Sequence, residues 1–235
     1  SGGPLMARVL VIGDTHCPAM LPQYPEFLES MYEAWDCDRV VHIGDLADFH
    51  AISFHQNEFG LESIETELDM ARHQVAELTE AFPDVDYLTG NHTALPARQA
   101  REAGLPPSMM LSLGQLMDLP EGWTVHPRHY DLEIDGVIYR HGDKGRSNQQ
   151  NAAFLNASME FSSLVQGHFH AQAGVCYGAN QKSRYFGLQV GCGTDPRSPY
   201  MNYSKIYSKR PLLGCGIVLD GEYAAFEPLH LESIR

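Results

Sequence analysis

The chain alternates apolar runs of strand length with longer stretches in which apolar residues recur at helical spacing. Residues 6–13 are almost continuously apolar and predict a buried strand that stops at Asp14-Thr15-His16. Residues 25–35 carry Phe27, Leu28, Met31 and Trp35 on one helical stripe, with acidic residues in the first turns as the helix dipole prefers. Residues 39–43 predict a second strand, ending at Gly44-Asp45 with Asp48 just beyond. Residues 61–82 form the longest helical pattern, with Ile64, Leu68, Val75 and Leu78 opposite Glu and Asp. Residues 85–88 predict a third strand, which stops at Gly90-Asn91-His92. This β-α-β-α-β alternation implies right-handed crossovers and a parallel sheet.

Residues 94–103 predict a further helix, which Pro106-Pro107 breaks. From Trp123 the rhythm shortens: strands are predicted at 124–126, 130–134 and 137–139, with Asp135-Gly136 as a hairpin turn. Tyr139 leads into His141-Gly142-Asp143. A helix over 148–159 and a strand over 163–166 then lead to Gly167-His168-Phe169-His170. Later strands are predicted at 174–177, 185–190, 215–219 and 223–226. Ser1-Gly2-Gly3-Pro4 reads as a leader or cloning remnant. Residues 5–235 read as one α/β domain, its first half parallel and its second mixed.

Composition narrows the function classes. At 235 residues and 43% hydrophobic, the chain has ample material for a core, and no apolar run approaches a membrane span. The 5 cysteines show no C-x-x-C spacing, which favours a reducing, cytoplasmic setting over a disulfide framework. A net charge of −14 argues against coating of duplex DNA. The charge is uneven: residues 1–127 carry −15 and no lysine, and residues 128–235 carry +1.

Polar residues at the predicted strand ends carry the chemistry. Asp14 and His16, Asp45, Asn91 and His92, His141, and His168 and His170 all follow apolar runs. In open α/β sheets, ligands bind beyond the carboxyl ends of the strands. Any one of these residues has an ordinary reading as a turn former or cap; their concentration at successive strand ends does not. Imidazole, carboxylate and amide oxygen together suit borderline divalent ions, and there are more such groups than one ion takes. Two ions sharing one carboxylate follow, with Mn²⁺ favoured and Fe²⁺, Co²⁺, Zn²⁺ or Ni²⁺ also suited.

The ordered series Asp-x-His, Gly-Asp-x-x-Asp, Gly-Asn-His, His-Gly-Asp and Gly-His-x-His resembles the calcineurin-like metallophosphoesterase superfamily over about residues 8–175. The resemblance implies a four-layer α/β/β/α sandwich with a binuclear centre at the sheet edge. It implies one metal on Asp14, His16, Asp45 and His170, and a second on the bridging Asp45, Asn91, His141 and His168. His92 matches the histidine that contacts phosphate and assists the leaving group, and Asp48 the supporting second acid of Gly-Asp-x-x-Asp.

Thr93 departs from the family pattern, which commonly has Asp or Glu after Gly-Asn-His. A hydroxyl orients an imidazole but does not stabilise imidazolium as a carboxylate does, so Asp48 or Asp143 are the acids expected to substitute. The expected reaction is hydrolysis of a phosphoester by a metal-bridging hydroxide, with His92 on the leaving-group side. A phosphodiesterase or phosphatase acting on a nucleotide-like or small phosphoester is the leading reading. A nuclease of the same superfamily and a non-catalytic interaction module on the same fold are the alternatives. Residues 182–210 are basic, with Lys182, Arg184, Arg197, Lys205, Lys209 and Arg210 against Asp195, and tyrosines are interleaved. Lys205, Lys209, Arg210 and Tyr203 are the candidate substrate-binding residues, a platform for a nucleotide or short nucleic acid.

Overall fold

The computed structural model describes residues 6–53, 63–145, 151–204 and 210–231. Two mixed β-sheets lie between helices. The first sheet contains β1 (Arg8–Ile12), β2 (Arg39–His42), β3 (Val85–Leu88) and β4 (Trp123–His126), all parallel, and β10 (Gly214–Leu219) and β11 (Tyr223–Pro228), in the order β11-β10-β1-β2-β3-β4. The second contains β5 (Leu132–Ile134), β6 (Val137–Arg140), β7 (Leu164–Gln166), β8 (Ala173–Ala179) and β9 (Arg184–Val190), in the order β5-β6-β7-β9-β8.

Side-chain alternation sets the layers. In β1, Leu10 and Ile12 join Tyr24 and Leu28 of α1 (Tyr24–Ala34) and Ala71, Val75 and Leu78 of α2 (Ile64–Ala81). The alternate residues Val9 and Val11 face the other way and pack with Val165, Phe186, Leu188 and Val190 of the second sheet. On the far side of that sheet, Ala153 and Ala157 of α5 (Ala152–Glu160) cover Leu164. The result is the expected α/β/β/α order. Burying a side chain such as Leu10 contributes roughly 1.5–3 kcal/mol, and β1 is held from both faces, by Leu10 and Ile12 on one and Val9 and Val11 on the other.

The first half of the chain is parallel as expected, β1 to β4, and two strands from the second half complete its sheet. β10 returns to pair antiparallel with β1, Ile12 opposite Cys215, and β11 pairs with β10. Almost every residue of β10 is buried, with Cys215 and Ile217 in the helix-facing core and Val218 in the core between the sheets. Such a strand needs cover on both faces, which the two cores on either side of the first sheet provide, while the open edge of β1 takes its backbone hydrogen bonds. The strand expected over 130–134 is shorter because Tyr130 leaves the sheet to stack on His126, with ring centroids 4.7 Å apart. Helix α2 starts at Ile64, where the Ser63 hydroxyl accepts the Thr66 N–H; residues 61 and 62 lie outside the described residues. Helix α3 (Leu95–Glu102) is present, and the short α4 (Leu113–Leu116), closed by a Ser112–Gln115 capping box, was not expected. No described helix is long and apolar enough to cross a membrane.

Candidate metal centre

The loops leaving β1, β2, β3, β6 and β7 meet at one rim of the sandwich. Asp14, His16, Asp45, Asn91, His141, His168 and His170 come together there. Asp14, His16 and His170 form one cluster and Asp45, His141 and His168 another, with ligand atoms within 4.8 Å in each. His16, Asp45 and His168 all take left-handed backbone conformations, at φ 46°, 46° and 68°. For non-glycine residues this geometry costs on the order of 1 kcal/mol or more and persists where surrounding contacts enforce it. Glycines allow the close approach: a Cβ at Gly44 would strike the His141 ring, and one at Gly90 the Asp45 carboxylate.

Asp45 joins the two clusters. Its Oδ1 accepts the backbone N–H of His92 at 2.8 Å and of Thr93 at 3.4 Å. Its Oδ2 lies 3.2 Å from Nε2 of His141 in one cluster and 3.8 Å from Nε2 of His16 in the other. Asp14 is likewise oriented by the backbone: the His168 N–H reaches both its oxygens at 3.2 and 3.1 Å, and Oδ2 lies 3.0 Å from Nε2 of His170.

The donor set fits divalent cations, as the histidine tautomers show. Nδ1 of His141 faces the carbonyl oxygen of Ile43 at 3.2 Å, which can only accept, so Nδ1 carries the proton. Nε2 then faces Asn91 Oδ1 at 3.0 Å and Asp45 Oδ2 at 3.2 Å, an arrangement that requires a cation, either a proton or a metal. His16 repeats the pattern. Its Nδ1 donates to Asp48 Oδ1 at 2.6 Å, and its buried Nε2 has no hydrogen-bond partner, 3.9 Å from Asp14 and 3.8 Å from Asp45. A carboxylate on one imidazole nitrogen and a vacant lone pair on the other is how metal-ligating histidines are oriented.

The electrostatics agree. Burial alone would lower the His16 pKa, but the surrounding Asp14, Asp48 and Asp45 raise it to about 10. Burial opposes His141 in the same way, and Asp45 and Asp14 raise it to about 9. His168 is pushed down to about 4 by burial and by His141. Burial opposes ionisation of Asp14 and Asp45, yet the imidazoles around them, His141 foremost, hold both below the ordinary carboxylate range.

The acid beside His92 is Asp48. Nδ1 of His92 lies 3.1 Å from Asp48 Oδ1 and 3.1 Å from the Asp48 carbonyl. Burial lowers the His92 pKa, but Asp48 outweighs it and the net shift is upward. Thr93 does not contact the ring: its Oγ1 accepts from Tyr87 at 2.7 Å and from the Gly90 N–H at 3.1 Å. Asp143, the other acid considered, is taken up by Arg128 at 2.7 Å and His129 at 3.4 Å.

Most of the predicted substrate platform falls outside the described residues. Lys205 and Lys209 lie outside the described residues, as does the side chain of Tyr203. Arg210 is exposed, two residues before Leu212, whose N–H donates to the His170 carbonyl at 2.7 Å. β7 and β9 run parallel, Gln166 opposite Gln189, so Lys182, Arg184 and Tyr185 stand at the end of β9 away from the rim. Tyr200 is buried against Ala19 and Met201.

Two supports were missed in the sequence. His42 is fully buried, accepts the Gly44 N–H at 3.3 Å and meets Thr15 Oγ1 at 3.2 Å, tying the β1 and β2 loops together. Asn156 donates to Gln166 at 2.9 Å, Gln166 to Gln189 at 3.1 Å, and Gln189 to the Gly167 carbonyl at 2.5 Å, between the His141 and His168 loops. A buried glutamine in each of two apolar strands was the available signal.

A two-sheet sandwich with Asp and His clusters at one rim matches the metallophosphoesterase-type fold and presents candidate metal-binding groups. The calcineurin-like phosphoesterase family model matches residues 7–151, and the chain belongs to that family. Among solved structures it is similar to vacuolar protein sorting 29 from Cryptosporidium parvum, at 14% identity over 92% of this chain and 86% of that one, with a TM-score of 0.47. It is also similar to YfcE, a phosphoesterase from E. coli, at 14% identity over 89% and 87%, with a TM-score of 0.45. A metallophosphoesterase from Sphaerobacter thermophilus aligns at 14% identity over 96% and 89%, with a TM-score of 0.47. No curated protein matches the chain.

Proposed function

We propose that the protein hydrolyses phosphoesters with two divalent cations, one held by Asp14, His16, Asp45 and His170 and the other by Asp45, Asn91, His141 and His168. The observation that carries this reading is Asp45, whose Oδ2 faces a histidine of each cluster, at 3.2 and 3.8 Å. A cation pair there would supply Lewis acidity, activating water at neutral pH and neutralising charge on the phosphoryl oxygens. Imidazole with carboxylate suits borderline divalent ions, Fe²⁺, Co²⁺, Zn²⁺ and Ni²⁺ as well as Mn²⁺, and Mn²⁺ is the cation proposed.

The residues of the chain do the remaining work. Water adds to phosphorus and loses a proton to solvent, the bond to the leaving oxygen breaks, that oxygen takes a proton from His92, and His92 is reprotonated from solvent. Asp48 holds Nδ1 of His92, so Nε2 is the nitrogen left to address the substrate, and Asp48 favours the charged ring that donates. Diesters are the favoured substrates, because a monoanion meets less repulsion from the acidic first half than a dianionic monoester does. The same acidity disfavours a duplex nuclease.

The test is metal depletion followed by Mn²⁺ addition, with bis-p-nitrophenyl phosphate and p-nitrophenyl phosphate as substrates. Activity lost with the metal, restored by Mn²⁺ and greater on the diester supports the reading. A protein that binds no divalent cation and stays inactive with Mn²⁺ is instead an interaction module.

A further inference from the structure

Asp48 uses only one of its oxygens on the histidines of the centre. Oδ1 lies 2.6 Å from Nδ1 of His16 and 3.1 Å from Nδ1 of His92. Oδ2 is buried and has no hydrogen-bond partner among the described residues. Leaving a buried, charged acceptor unpaired is expensive, so such an atom calls for a donor. His50 faces it, with Nδ1 3.7 Å away.

His50 is built into the fold. It is 6% exposed and opens a short helical turn, His50–Ile52, directly after Phe49 at φ 52°. Glu67 of α2 clamps that turn: its two oxygens accept the N–H of His50 at 2.6 Å and of Ala51 at 2.9 Å. Gln99 of α3 donates to the Ile52 carbonyl at 2.6 Å. Tyr200 stands edge-on to the imidazole, with ring centroids 6.4 Å apart. Glu67 is buried, whereas Glu65, Asp69, Glu77 and Glu80 of the same helix are exposed. An acid is withdrawn from water in this way only where it is well hydrogen-bonded, and here its bonds go to the backbone of His50 and its neighbour.

We propose that His50 is a positioning residue: in the working site its Nδ1–H donates to Asp48 Oδ2 and fixes the carboxylate that orients His92 and His16. At 3.7 Å the contact is longer than a hydrogen bond, and catalytic hydrogen bonds commonly tighten only once the site is loaded. With Oδ2 held, Oδ1 keeps its bearing on both imidazoles while a proton leaves His92. The inference rests on the phosphoesterase reading above and adds to it a residue two positions beyond the Gly-Asp-x-x-Asp motif.

The experiment compares His50→Leu, which fills the space without a donor, with His50→Asn, whose Nδ2 takes the place of Nδ1. Both are assayed in the full chain at saturating Mn²⁺ on diethyl phosphate and ethyl p-nitrophenyl phosphate. In His50→Leu, kcat on diethyl phosphate should fall about tenfold, while kcat on the nitrophenyl diester and both KM values stay within about twofold. His50→Asn should recover most of the loss. Calorimetric Mn²⁺ affinity should weaken about tenfold in His50→Leu, through His16, and return in His50→Asn. Nitrogen NMR of the imidazoles in the metal-free wild type should show a proton on Nδ1 of His50. Equal losses on the two esters, no recovery in His50→Asn, or an Nδ1 without a proton overturns the proposal. The ring measurement needs only the wild type, so it decides even if His50→Leu does not fold. Wild-type protein that binds Mn²⁺ and hydrolyses neither diester overturns the phosphoesterase reading instead, and His50 then stands or falls on its ring proton and on Mn²⁺ affinity across the variants.

Discussion

The carboxylate facing His92 belongs to Asp48, whose Oδ1 lies 3.1 Å from the imidazole Nδ1. The same oxygen lies 2.6 Å from Nδ1 of His16, so one buried acid serves both the proposed leaving-group histidine and a proposed metal ligand. Asp48→Asn keeps a hydrogen-bond acceptor but loses the charge that favours imidazolium. At saturating Mn²⁺, turnover of an alkyl ester should fall by about 10², and that of an activated nitrophenyl ester by no more than about tenfold. Metal affinity should also weaken, by roughly 10–100-fold, because His16 loses its orienting charge. Equal losses on both esters would remove His92 from leaving-group protonation.

Thr93 should behave as a structural residue. Its hydroxyl receives the Tyr87 O–H and the Gly90 N–H inside the fold. Thr93→Val leaves both donors buried without a partner, which costs about 1–3 kcal/mol in denaturant unfolding. Sensitivity to the leaving group should not change. A variant of full stability with altered leaving-group dependence would show that Thr93 acts on His92 after all.

Asp45→Asn should reduce activity by on the order of 10² or more, because one side chain serves both clusters. The measurement pairs turnover with metal content. Near-normal turnover at full occupancy would exclude a shared cation pair.

The order of motifs made the layout of the centre legible, because each candidate residue follows an apolar run that can only be a buried strand. What joins those strands was less legible. β10 is a short apolar run like several others, and only the open edge of β1 decides which sheet it enters. The role of Asp48 depends on how the loop after β2 turns back, with Phe49 at φ 52°, and spacing does not encode that turn. Charge along the chain does not say which basic residues reach the rim: parallel pairing places Lys182 and Arg184 away from it. His42 lies within the apolar run of β2, where a histidine reads as ordinary core, yet its contacts tie together the two loops carrying Asp14 and Asp45.

Gln189→Leu tests the buried amide relay. The substitution removes the donor to the Gly167 carbonyl and leaves Gln166 without its acceptor. Gly167 also donates its N–H to the carbonyl of His141 at 2.9 Å, so its position sets the spacing of the His141 and His168 loops. In a two-step metal titration, the cation on Asp45, Asn91, His141 and His168 should bind about 10–100-fold more weakly, and the other should change less. Equal weakening of both, in step with lost thermal stability, would reduce the relay to general packing.

Metal uptake should release protons, with a sign fixed by the two raised histidines. In the metal-free protein His16 titrates near about 10 and His141 near about 9, against an ordinary 6.5, so both are protonated at pH 7. His168, lowered to about 4, is already neutral. A ligating imidazole nitrogen must give up its proton, so filling both sites at pH 7 should release ~2 protons. Apparent affinity should therefore rise from pH 6 to pH 9. Stability of the metal-free fold runs the other way: a raised histidine pKa contributes fully below 6.5, and the contribution is lost as pH rises through about 9 and 10. The lowered Asp14, Asp45 and Asp48 contribute above their ordinary 3.8 and lose that contribution as pH falls below it. The rise in melting temperature on adding Mn²⁺ should thus be larger at pH 8.5 than at pH 6. Calorimetric titration at pH 7 in buffers of different ionisation enthalpy reads the released protons directly. A binding enthalpy that does not vary between buffers would show that neither His16 nor His141 surrenders a proton to the metal.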